Sequence, residues 1–500
     1  HHTELPWVRL YIARWLRAQP FQGEFFLQLQ YLPLGMGGGG MVLGHIFERF
    51  AAESSISVMT RGVMQSALAA PAIDAVFEQT SERQYTRELL FSTVVDLVSV
   101  VVCDARPSVN AAYQAAADRI PVSLTSVYNK LDGVEPGVSA ALVRHTASRL
   151  TPVIEAMGGQ LPALLPGYRV KILDGNHLAA TERRLKVLRA SKAGPLPGFG
   201  VVVLDPSLML AIDVVPCEDG HAQERSLTDA MLATVVERDL IVADRNFCTS
   251  RLISGIARQG AYFVIRQHAS NLAWEPIGQR KRCGRSDGAT IYEQQIEARD
   301  SEGNGLRLRR ITIAFEAPIR NGETELHIVT NLPIHDAGAV GVAAIYRNRW
   351  TVETMFHDLK RTLNGEIKTL AYPKAALFCF CVALMAYNVL STVKAALRGK
   401  HGHDKIEDEV SEYYVADEIS GTYRGMMIAI PAPEWKRFES VGSDQLAHLL
   451  LDLAGRVHLK RFRRHARGPK KPVPKRTRYT THTHVSTARL LSELRALNSP

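Results

Sequence analysis

The sequence predicts an α/β protein in which helical regions flank a mixed core of strands and helices. Three patterns support this: apolar residues at helical spacing over 46–157, alternating strand-like and helix-like segments over 168–266, and a return to helical spacing from 339 onward. A chain of 500 residues, 46% of them hydrophobic, is long enough for two to four domains. The longest unbroken apolar run, 375–387, has 13 residues and is too short to span a bilayer, so we predict no membrane partner.

The N-terminal residues lack the basic, apolar and small-residue pattern of a secretion signal, which predicts a cytoplasmic protein. The cysteines are scattered and form no C-x-x-C pair, so we expect reduced thiols and neither a zinc module nor a disulfide framework. They are Cys103, Cys217, Cys248, Cys283, Cys379 and Cys381.

The net charge of +10 is concentrated in one segment of the chain. Residues 456–478 contain eleven of the 60 Lys and Arg and no Asp or Glu, so the remaining 49 basic residues nearly balance the 50 acidic ones. Such a basic block is either a solvated tail or a binding segment for a polyanion, and we favour nucleic-acid contact.

The N-terminal part divides into two predicted regions. Residues 1–40 end in four glycines and are interpreted as a linker or a non-native leader. Residues 41–160 form a predicted helical DNA-binding domain. Within it, 121–131 has the turn, Ser/Thr cap and short helix of a helix-turn-helix reader that would expose Ser126, Asn129 and Lys130, although an ordinary helical hairpin fits this pattern equally well.

The first part of the core, 165–268, is predicted to contain two strands that end in aspartates. Residues 168–173 lead into Asp174, and 240–243 lead into Asp244. Between them we expect a hairpin formed by 200–204 and 208–215, then a helix over 224–237. A further strand is predicted at 261–266.

The rest of the chain is assigned to three regions. Residues 269–337 are a β-rich insertion with strands at 290–296, 306–315 and 325–332. Residues 338–400 return to the core as a long helical stretch over about 339–396. Residues 401–500 are a helical and basic C-terminal region.

The strongest local pattern lies in the helical stretch after the insertion. Tyr346, Arg349, Glu353 and Lys360 stand at offsets 0, 3, 7 and 14, which fall within an arc of about 60° on one continuous helix. By spacing alone, this stripe is a salt-bridged surface or a functional face. The two strand-end aspartates favour function, because two or three converging carboxylates suit Mg²⁺ and two-metal phosphoryl transfer.

These residues resemble the signature of the bacterial DDE transposases of insertion sequence family four. The similarity comprises Asp174-Gly175, Ala243 to Phe247, and the Y-R-E-K motif formed by Tyr346, Arg349, Glu353 and Lys360. It covers about residues 46–400 in order and type of element. The resemblance implies an RNase H-like catalytic core interrupted by the β-rich insertion, and cut-and-paste DNA transposition through strand cleavage and strand transfer.

The resemblance also implies roles for individual residues. Asp174, Asp244 and Glu353 would be the catalytic metal ligands for two Mg²⁺ ions, with Mn²⁺ as a substitute. The expected DNA contacts are Tyr346, Arg349 and Lys360 at transposon-end phosphates, and Trp350 stacked near a displaced base. The expected partners are double-stranded DNA, as terminal inverted repeats and target, and a second copy of the chain in a synaptic homodimer. Such a protein would be nucleoid-associated.

Two alternative functions remain open at this point. A catalytically decayed or domesticated relative would bind DNA without cutting it. A metal-dependent nuclease would use the same ions but would not join a 3′-hydroxyl to target DNA.

Overall fold

The computed structural model describes residues 45–268, 270–299, 303–319, 322–430, 432–464 and 484–497. The predicted leader, 1–40, lies outside the described residues. The first described region is helical, as predicted. Its helices are α1 (His45–Ala67), α2 (Ala70–Thr80), α3 (Phe91–Val102), α4 (Val109–Gln114), α5 (Leu124–Gly133) and α6 (Pro136–Ala156).

The helix that would serve as a DNA reader, α5, begins where the sequence predicts. The Ser123 side chain accepts a hydrogen bond from the Ser126 N–H at 3.2 Å and so caps its first turn. The predicted exposure of Ser126 and Asn129 is confirmed, whereas Lys130 is half-buried. Its Nζ donates to the Tyr85 carbonyl at 3.0 Å and lies 4.0 Å from the Phe77 ring centroid, so the cation holds the domain together.

A single mixed sheet runs through the described part of the chain, with strand order β4-β3-β1-β5-β6-β11-β10-β9-β7 and β8 paired to β9. Strand β5 is parallel to β1 and to β6, and the other pairings are antiparallel. The strands are β1 (Arg169–His177), β3 (Phe199–Asp205), β4 (Leu210–Cys217), β5 (Asp239–Ala243), β6 (Tyr262–Arg266), β7 (Trp274–Pro276), β8 (Lys281–Ser286), β9 (Ala289–Arg299), β10 (Gly305–Phe315) and β11 (Glu325–Thr330), while the short β2 (Gly194–Leu196) lies outside this sheet.

The predicted hairpin and the predicted strands of residues 269–337 are confirmed as strands. The sequence did not indicate that β11 pairs with β6, so that residues 274–330 continue the same sheet. Successive side chains of each strand point to opposite faces of the sheet, and apolar side chains cover both faces. One face packs against helices that include α3 and α6, and the other packs against the helix after β5.

The remaining helices fall between and after the strands. They are α7 (Lys186–Arg189), α8 (Thr228–Leu232), α9 (Ser250–Arg258), α10 (Ala339–Arg347), α11 (Trp350–Arg361), α12 (Pro373–His401), α13 (His403–Glu409), α14 (Glu412–Ala429), α15 (Ala432–Lys436) and α16 (Ser443–Gly455). Two predictions are corrected here. The helix expected over 224–237 is only a 3₁₀ turn at Glu224–Leu227 followed by α8, and the helical stretch expected over 339–396 is divided into α10, α11 and α12.

The central helix of the described fold is α12. It is long and apolar enough to cross a membrane by length and composition, but 94% of its most apolar 18-residue window is buried inside the protein. Buried Asn388 on this helix donates to the Ala211 carbonyl at 2.9 Å and accepts from the Ala211 N–H at 2.8 Å. A side-chain amide thus takes the place of a neighbouring strand at this point of the edge strand β4.

Residues 465–478 of the predicted basic block lie outside the described residues, but its first part, 456–464, is folded. Arg456 pairs with Glu48 and Asp452, and the Arg464 N–H donates to the Glu409 carbonyl at 2.6 Å. On the other side, β12 (His484–Ser486) pairs in parallel with β2 and leads into α17 (Thr487–Leu497). The first residues of the block and the segment 484–497 are therefore both part of the fold.

Candidate active site

The two strand-end aspartates lie side by side. Leu173 of β1 pairs with Ala243 of β5 in parallel register, so the next residues, Asp174 and Asp244, occupy neighbouring positions on strands about 4.8 Å apart. Both side chains point to the face on which Ile172 and Val242 lie, because side chains two residues apart share a face. The sequence prediction that these residues converge agrees with this register.

Asp174 is a carboxyl group in a desolvated position. Its Oδ1 accepts the Gly175 N–H at 3.0 Å, and its Oδ2 lies 3.4 Å from Nη1 of Arg349. Burial raises the pKa of Asp174 to about 6, the Arg349 charge and the Gly175 hydrogen bond work against this rise, and the charges of Glu353 and Asp244 add to it. Three carboxyl groups therefore share one electrostatic environment.

Asp244 has an oxygen without a partner. Its Oδ1 is buried and makes no hydrogen bond to any residue that the structure describes. Its backbone carbonyl accepts the Phe247 N–H at 3.1 Å, which fixes the turn after β5. A buried carboxylate oxygen left open in this way is expensive unless a cation or a hydrogen-bond donor binds it, so it indicates a binding position.

A break between α10 and α11 positions the third carboxylate, that of Glu353. Asn348 donates from its side chain to the Ala344 carbonyl at 3.0 Å, which satisfies a terminal carbonyl of α10 and ends that helix. Helix α11 then starts at Trp350 with Glu353 in its first turn, where the helix dipole favours an anion. The junction lies against the face that carries Asp174 and Asp244.

Arg349, at this junction, links the acidic groups. It is only 6% exposed, its Nη2 lies 2.6 Å from Oε1 of Glu353, and its Nη1 approaches Asp174. Tyr346, also buried, accepts a hydrogen bond from Arg349, and burial together with the Asp244 charge raises the pKa of this phenol to about 12. Tyr346, Arg349 and Glu353 of the predicted stripe are therefore brought together with both aspartates.

Lys360 is not part of this cluster. Its Nζ lies 3.2 Å from Oε1 of Glu366, and with Asn176 these residues line a small cavity two residues beyond Asp174 on β1. Lys360 shares α11 with Glu353 but lies about two turns further along it. The single continuous helix assumed by the spacing is also wrong, because the break between α10 and α11 separates Tyr346 from Glu353 and Lys360. Trp350 is 62% exposed, and the Arg349 guanidinium carbon lies 5.8 Å from its ring centroid.

Other polar residues at the same sheet edge were not predicted. Glu224 Oε1 accepts a hydrogen bond from Asn246 Nδ2 at 3.4 Å. The same oxygen lies 3.1 Å from the position that a Cβ atom on Gly175 would occupy. Arg266, at the end of β6, binds Glu323 through both carboxylate oxygens. The position of Arg266 at a strand end was a usable signal, whereas Glu224 offered none, since only the folded loop brings it near Gly175.

A divalent cation fits this donor set. Asp174 and Asp244 supply hard oxygens at adjacent positions, one of them unpartnered, and a single guanidinium cannot balance three ionised carboxylates. Within the described ranges no three acidic, histidine or cysteine side chains are close enough to hold an ion as they stand. The reason is Arg349, which occupies oxygens of both Asp174 and Glu353, so Glu353 would have to turn from Arg349 to reach an ion.

Comparison with known proteins agrees with this arrangement. Residues 166–389 match the family model described as "Transposase DDE domain". The matched range begins just before β1 and ends in α12, so it contains the whole candidate site. The chain therefore carries a region similar to the catalytic domain of transposases, an enzyme class.

A named relative points in the same direction. "Putative transposase y4zB" of Sinorhizobium fredii (strain NBRC 101917 / NGR234) is 29% identical over 126 residues, which are 24% of this chain and 33% of the relative. The chain thus spans about a third of the length of the curated relative that it matches.

Proposed function

We propose that the protein is a DDE transposase that cuts DNA at transposon ends and joins them to target DNA. The observation that carries this proposal is the register of β1 and β5, which sets Asp174 beside Asp244 with a buried, unpartnered oxygen, while α11 brings Glu353 to the same face. The similarity of residues 166–389 to the transposase DDE domain supports the same reading.

The proposed architecture is an RNase H-like core divided by a β-rich insertion. The order β4-β3-β1-β5-β6, with antiparallel β4, β3 and β1 followed by parallel β5 and β6, supports the core. The strands of residues 269–337 stand between the second aspartate and Glu353 in the chain. The Y-R-E-K pattern supports membership of insertion sequence family four.

Asp174, Asp244 and Glu353 would hold two Mg²⁺ ions, or Mn²⁺ in their place. Such ions, when bound, activate the attacking water or 3′-hydroxyl and stabilise the leaving oxygen. The carboxylates must be ionised for this, and the desolvation that raises the pKa of Asp174 is offset when a cation arrives. Partial burial of Asp174 and Asp244 also limits the water that would screen their charges, whereas Glu353 is exposed.

Arg349 has two duties in this proposal. In the arrangement described above it neutralises Asp174 and Glu353 and so limits the repulsion between them. When Asp174 and Glu353 bind another group, the planar guanidinium of Arg349 is available to hold a phosphate of the DNA through two hydrogen bonds. Tyr346 holds this guanidinium by accepting a hydrogen bond from it, and would contact the transposon-end backbone beside it.

Two further residues are proposed to contact DNA. Lys360, half exposed at the far end of α11, would bind an end phosphate as a point charge. Trp350 presents an exposed ring at the start of the same helix, which supports stacking against a displaced base. The proposed partners are double-stranded terminal repeats and target DNA, with a second copy of the chain in the synaptic complex, in the cytoplasm at the nucleoid.

The decisive experiment is a cleavage assay on DNA that carries the flanks of this protein's own gene, in Mg²⁺ or Mn²⁺. Wild type is compared with Glu353→Gln, and with Glu297→Gln as a matched change of an acidic residue on β9, outside the site. We expect metal-dependent cuts at the two flanks by wild type and by the control variant, and none by Glu353→Gln.

Other results would replace the proposal. Binding without cleavage by wild type would favour a decayed or domesticated DNA-binding relative. Cuts scattered without regard to the flanks, and no joining of the 3′-hydroxyl to target DNA, would favour a nuclease. Full activity of Glu353→Gln would remove Glu353 from the site.

A further inference from the structure

The connection between α11 and α12, residues 362–372, carries a carboxylate that the proposed chemistry does not use. This group belongs to Glu366, whose side chain is only 14% exposed. Its Oε2 accepts the Ala179 N–H at 3.0 Å, from the segment that follows β1. A charge-assisted hydrogen bond to the backbone holds a carboxylate in place, so the second oxygen of Glu366 has a defined position as well.

That second oxygen faces Lys360, the last residue of the Y-R-E-K pattern. Glu366 Oε1 lies 3.2 Å from Lys360 Nζ, as an ion pair without an aligned hydrogen bond. The Lys360 side chain is 51% exposed, so the pair joins a mostly buried anion to a cation at the surface. An ammonium group has three donor hydrogens, and its open side can therefore bind a phosphate while Glu366 attracts it from below.

The connection that carries this carboxylate is itself anchored on three sides. The Asn364 N–H donates to the carbonyl of the last residue of α3 at 2.8 Å, and the Glu182 N–H donates to the Lys368 carbonyl at 2.9 Å. Gly365 packs so closely on α12 that a Cβ on it would lie 3.1 Å from the Ala383 Cβ. The carboxylate is therefore tied to the surrounding fold rather than to α11 alone.

A buried amide lies in the same place. Asn176 is 7% exposed and shares a sheet face with Asp174, because the two are two residues apart on β1. Its Nδ2 makes no hydrogen bond to any residue that the structure describes. With Lys360 and Glu366 it lines a cavity of about 10 Å³, close to the least that holds one water. An unpaired buried donor is costly, so Nδ2 suits Glu366 Oε1, directly or through one water.

The position of Lys360 relative to the metal ligands gives this arrangement its significance. Lys360 follows Glu353 by seven residues on α11, which is about 10 Å along the helix. The same length is the rise of about three base pairs of duplex DNA. A phosphate held there sets the register of the strand that enters the active site, and small displacements of a substrate are costly for the rate of a reaction.

We propose that Glu366 is a positioning residue that fixes the Lys360 ammonium at a set distance from the active-site carboxylates. It acts through Lys360 and contacts no reacting atom. The inference rests on the proposed function, because Lys360 is there the contact to a transposon-end phosphate. A lysine on a freely moving side chain attracts DNA but does not fix a phosphate. Loss of Glu366 should therefore lower the cleavage rate of bound DNA and leave affinity nearly unchanged.

The test compares wild type with Glu366→Gln, in which an amide oxygen can still accept the Ala179 N–H while the charge facing Lys360 is lost. Single-turnover cleavage of the flank DNA over a range of protein concentrations gives the rate at saturation and the half-saturating concentration. We expect the saturated rate to fall about five- to tenfold, with the half-saturating concentration within about twofold of wild type. The matched control, Glu412→Gln, removes a carboxylate 2.6 Å from Lys394 and should cleave like wild type.

Two further measurements separate positioning from a general structural effect. In a Lys360→Met background, Glu366→Gln should cause no further loss of rate, because residues that act through one another are not additive. Lysine acylation followed by mass spectrometry needs no activity. In wild type, Lys360 should react more slowly than exposed Lys281, and in Glu366→Gln its labelling should rise about threefold, since the ion pair that shields it is gone.

The outcomes separate this inference from the proposed function. If wild type cuts DNA and Glu366→Gln reaches the same saturated rate, or if its loss adds to that of Lys360→Met, the positioning role is overturned and the transposase proposal stands. If wild type cuts nothing, the proposed function fails and the positioning role fails with it, even where the labelling confirms the ion pair. Equal labelling of Lys360 and Lys281 in wild type overturns the inference, including the case in which Glu366→Gln does not fold.

Discussion

Strand β5 begins with Asp239 and is followed by Asp244, and the surroundings of these two carboxylates differ. At the amino ends, Asp239 is 1% exposed, and its oxygens lie 2.7 Å from Arg169 Nε and 2.6 Å from Lys171 Nζ. The Val236 N–H donates to it as well, at 2.8 Å. At the carboxyl ends, Asp244 keeps a buried oxygen without a partner in the described structure.

This difference separates a structural acid from a functional one. Each has a buried carboxylate oxygen at an end of β5, so the burial of an oxygen and its position at a strand end cannot tell them apart. The completeness of the hydrogen bonding does, because a saturated carboxylate has no site for a ligand and an unsaturated one does. Substitutions at the two ends of β5 should therefore separate catalysis from folding, and substitutions of Asp174 and Arg349 should show how the carboxyl end is balanced.

The largest contrast is expected in catalysis. Asp244→Asn should lower DNA cleavage by about 10³-fold or more, because a neutral amide oxygen holds a divalent cation far less well than a carboxylate. Asp239→Asn should keep normal cleavage per folded molecule. Single-turnover cleavage, normalised to the folded fraction by circular dichroism, checks both. Equal losses in the two variants would remove the distinction between the ends.

For the free energy of unfolding, the larger effect is expected from Asp239→Asn and the smaller one from Asp244→Asn. Asp239→Asn leaves the buried Lys171 without its anion and should reduce the free energy of unfolding by about 3–5 kcal/mol. Asp244→Asn should change it far less, since no partner loses a hydrogen bond. Urea unfolding in EDTA measures both values. A stability loss confined to Asp244→Asn would contradict the comparison.

A third change should stabilise the protein. Because the pKa of Asp174 is raised to about 6, its ionised form destabilises the metal-free fold above that pH, and this penalty is absent below its usual value near 3.8. Asp174→Asn should therefore raise the free energy of unfolding by about 1–3 kcal/mol at pH 7.5, and the gain should disappear towards pH 4. Urea unfolding in EDTA at both pH values tests this. A loss of stability at pH 7.5 would show that the Arg349 contact outweighs desolvation.

The smallest effect concerns competition for the carboxylates. Arg349→Gln frees Asp174 and Glu353, so the affinity for Mn²⁺ should rise about three- to tenfold. Arg144→Gln, which breaks an ion pair with Asp213 elsewhere on the sheet, is the control and should leave the affinity unchanged. Titration calorimetry with the metal alone measures both. Weaker Mn²⁺ binding by Arg349→Gln would show that Arg349 organises the site and does not compete with the metal.

The sequence predicted the parts of the site that depend on strand patterns. Apolar runs ending in Asp174 and Asp244 are local signals, and the parallel pairing that joins them follows from the order of elements. Spacing along the chain also grouped Tyr346, Arg349 and Glu353 correctly, although the helix breaks between Tyr346 and Arg349 without any glycine or proline to announce it. Lys360 is on the same helix as Glu353 but about two turns further along, where it pairs with Glu366.

Features that depend on long-range pairing could not be predicted. The sequence suggested an insertion, but the pairing of β11 with β6 is a contact between segments some 60 residues apart. Lys130 looked like an exposed reader because helical spacing does not show that Tyr85 and Phe77 fold against it. The same holds for Glu224, which a loop carries to Gly175.

The side-chain amide of Asn388 blocks one of the two edges of the sheet, so only the other edge is open to another chain. An open edge strand is a template on which another chain can add a strand, and such addition leads to aggregation or to oligomers. At β4 this route is blocked at Ala211 by a buried side chain that belongs to the same molecule. At the other end, β7 and β8 are mostly exposed. A second copy could therefore extend the sheet from that end, and aggregation through strand addition would begin there.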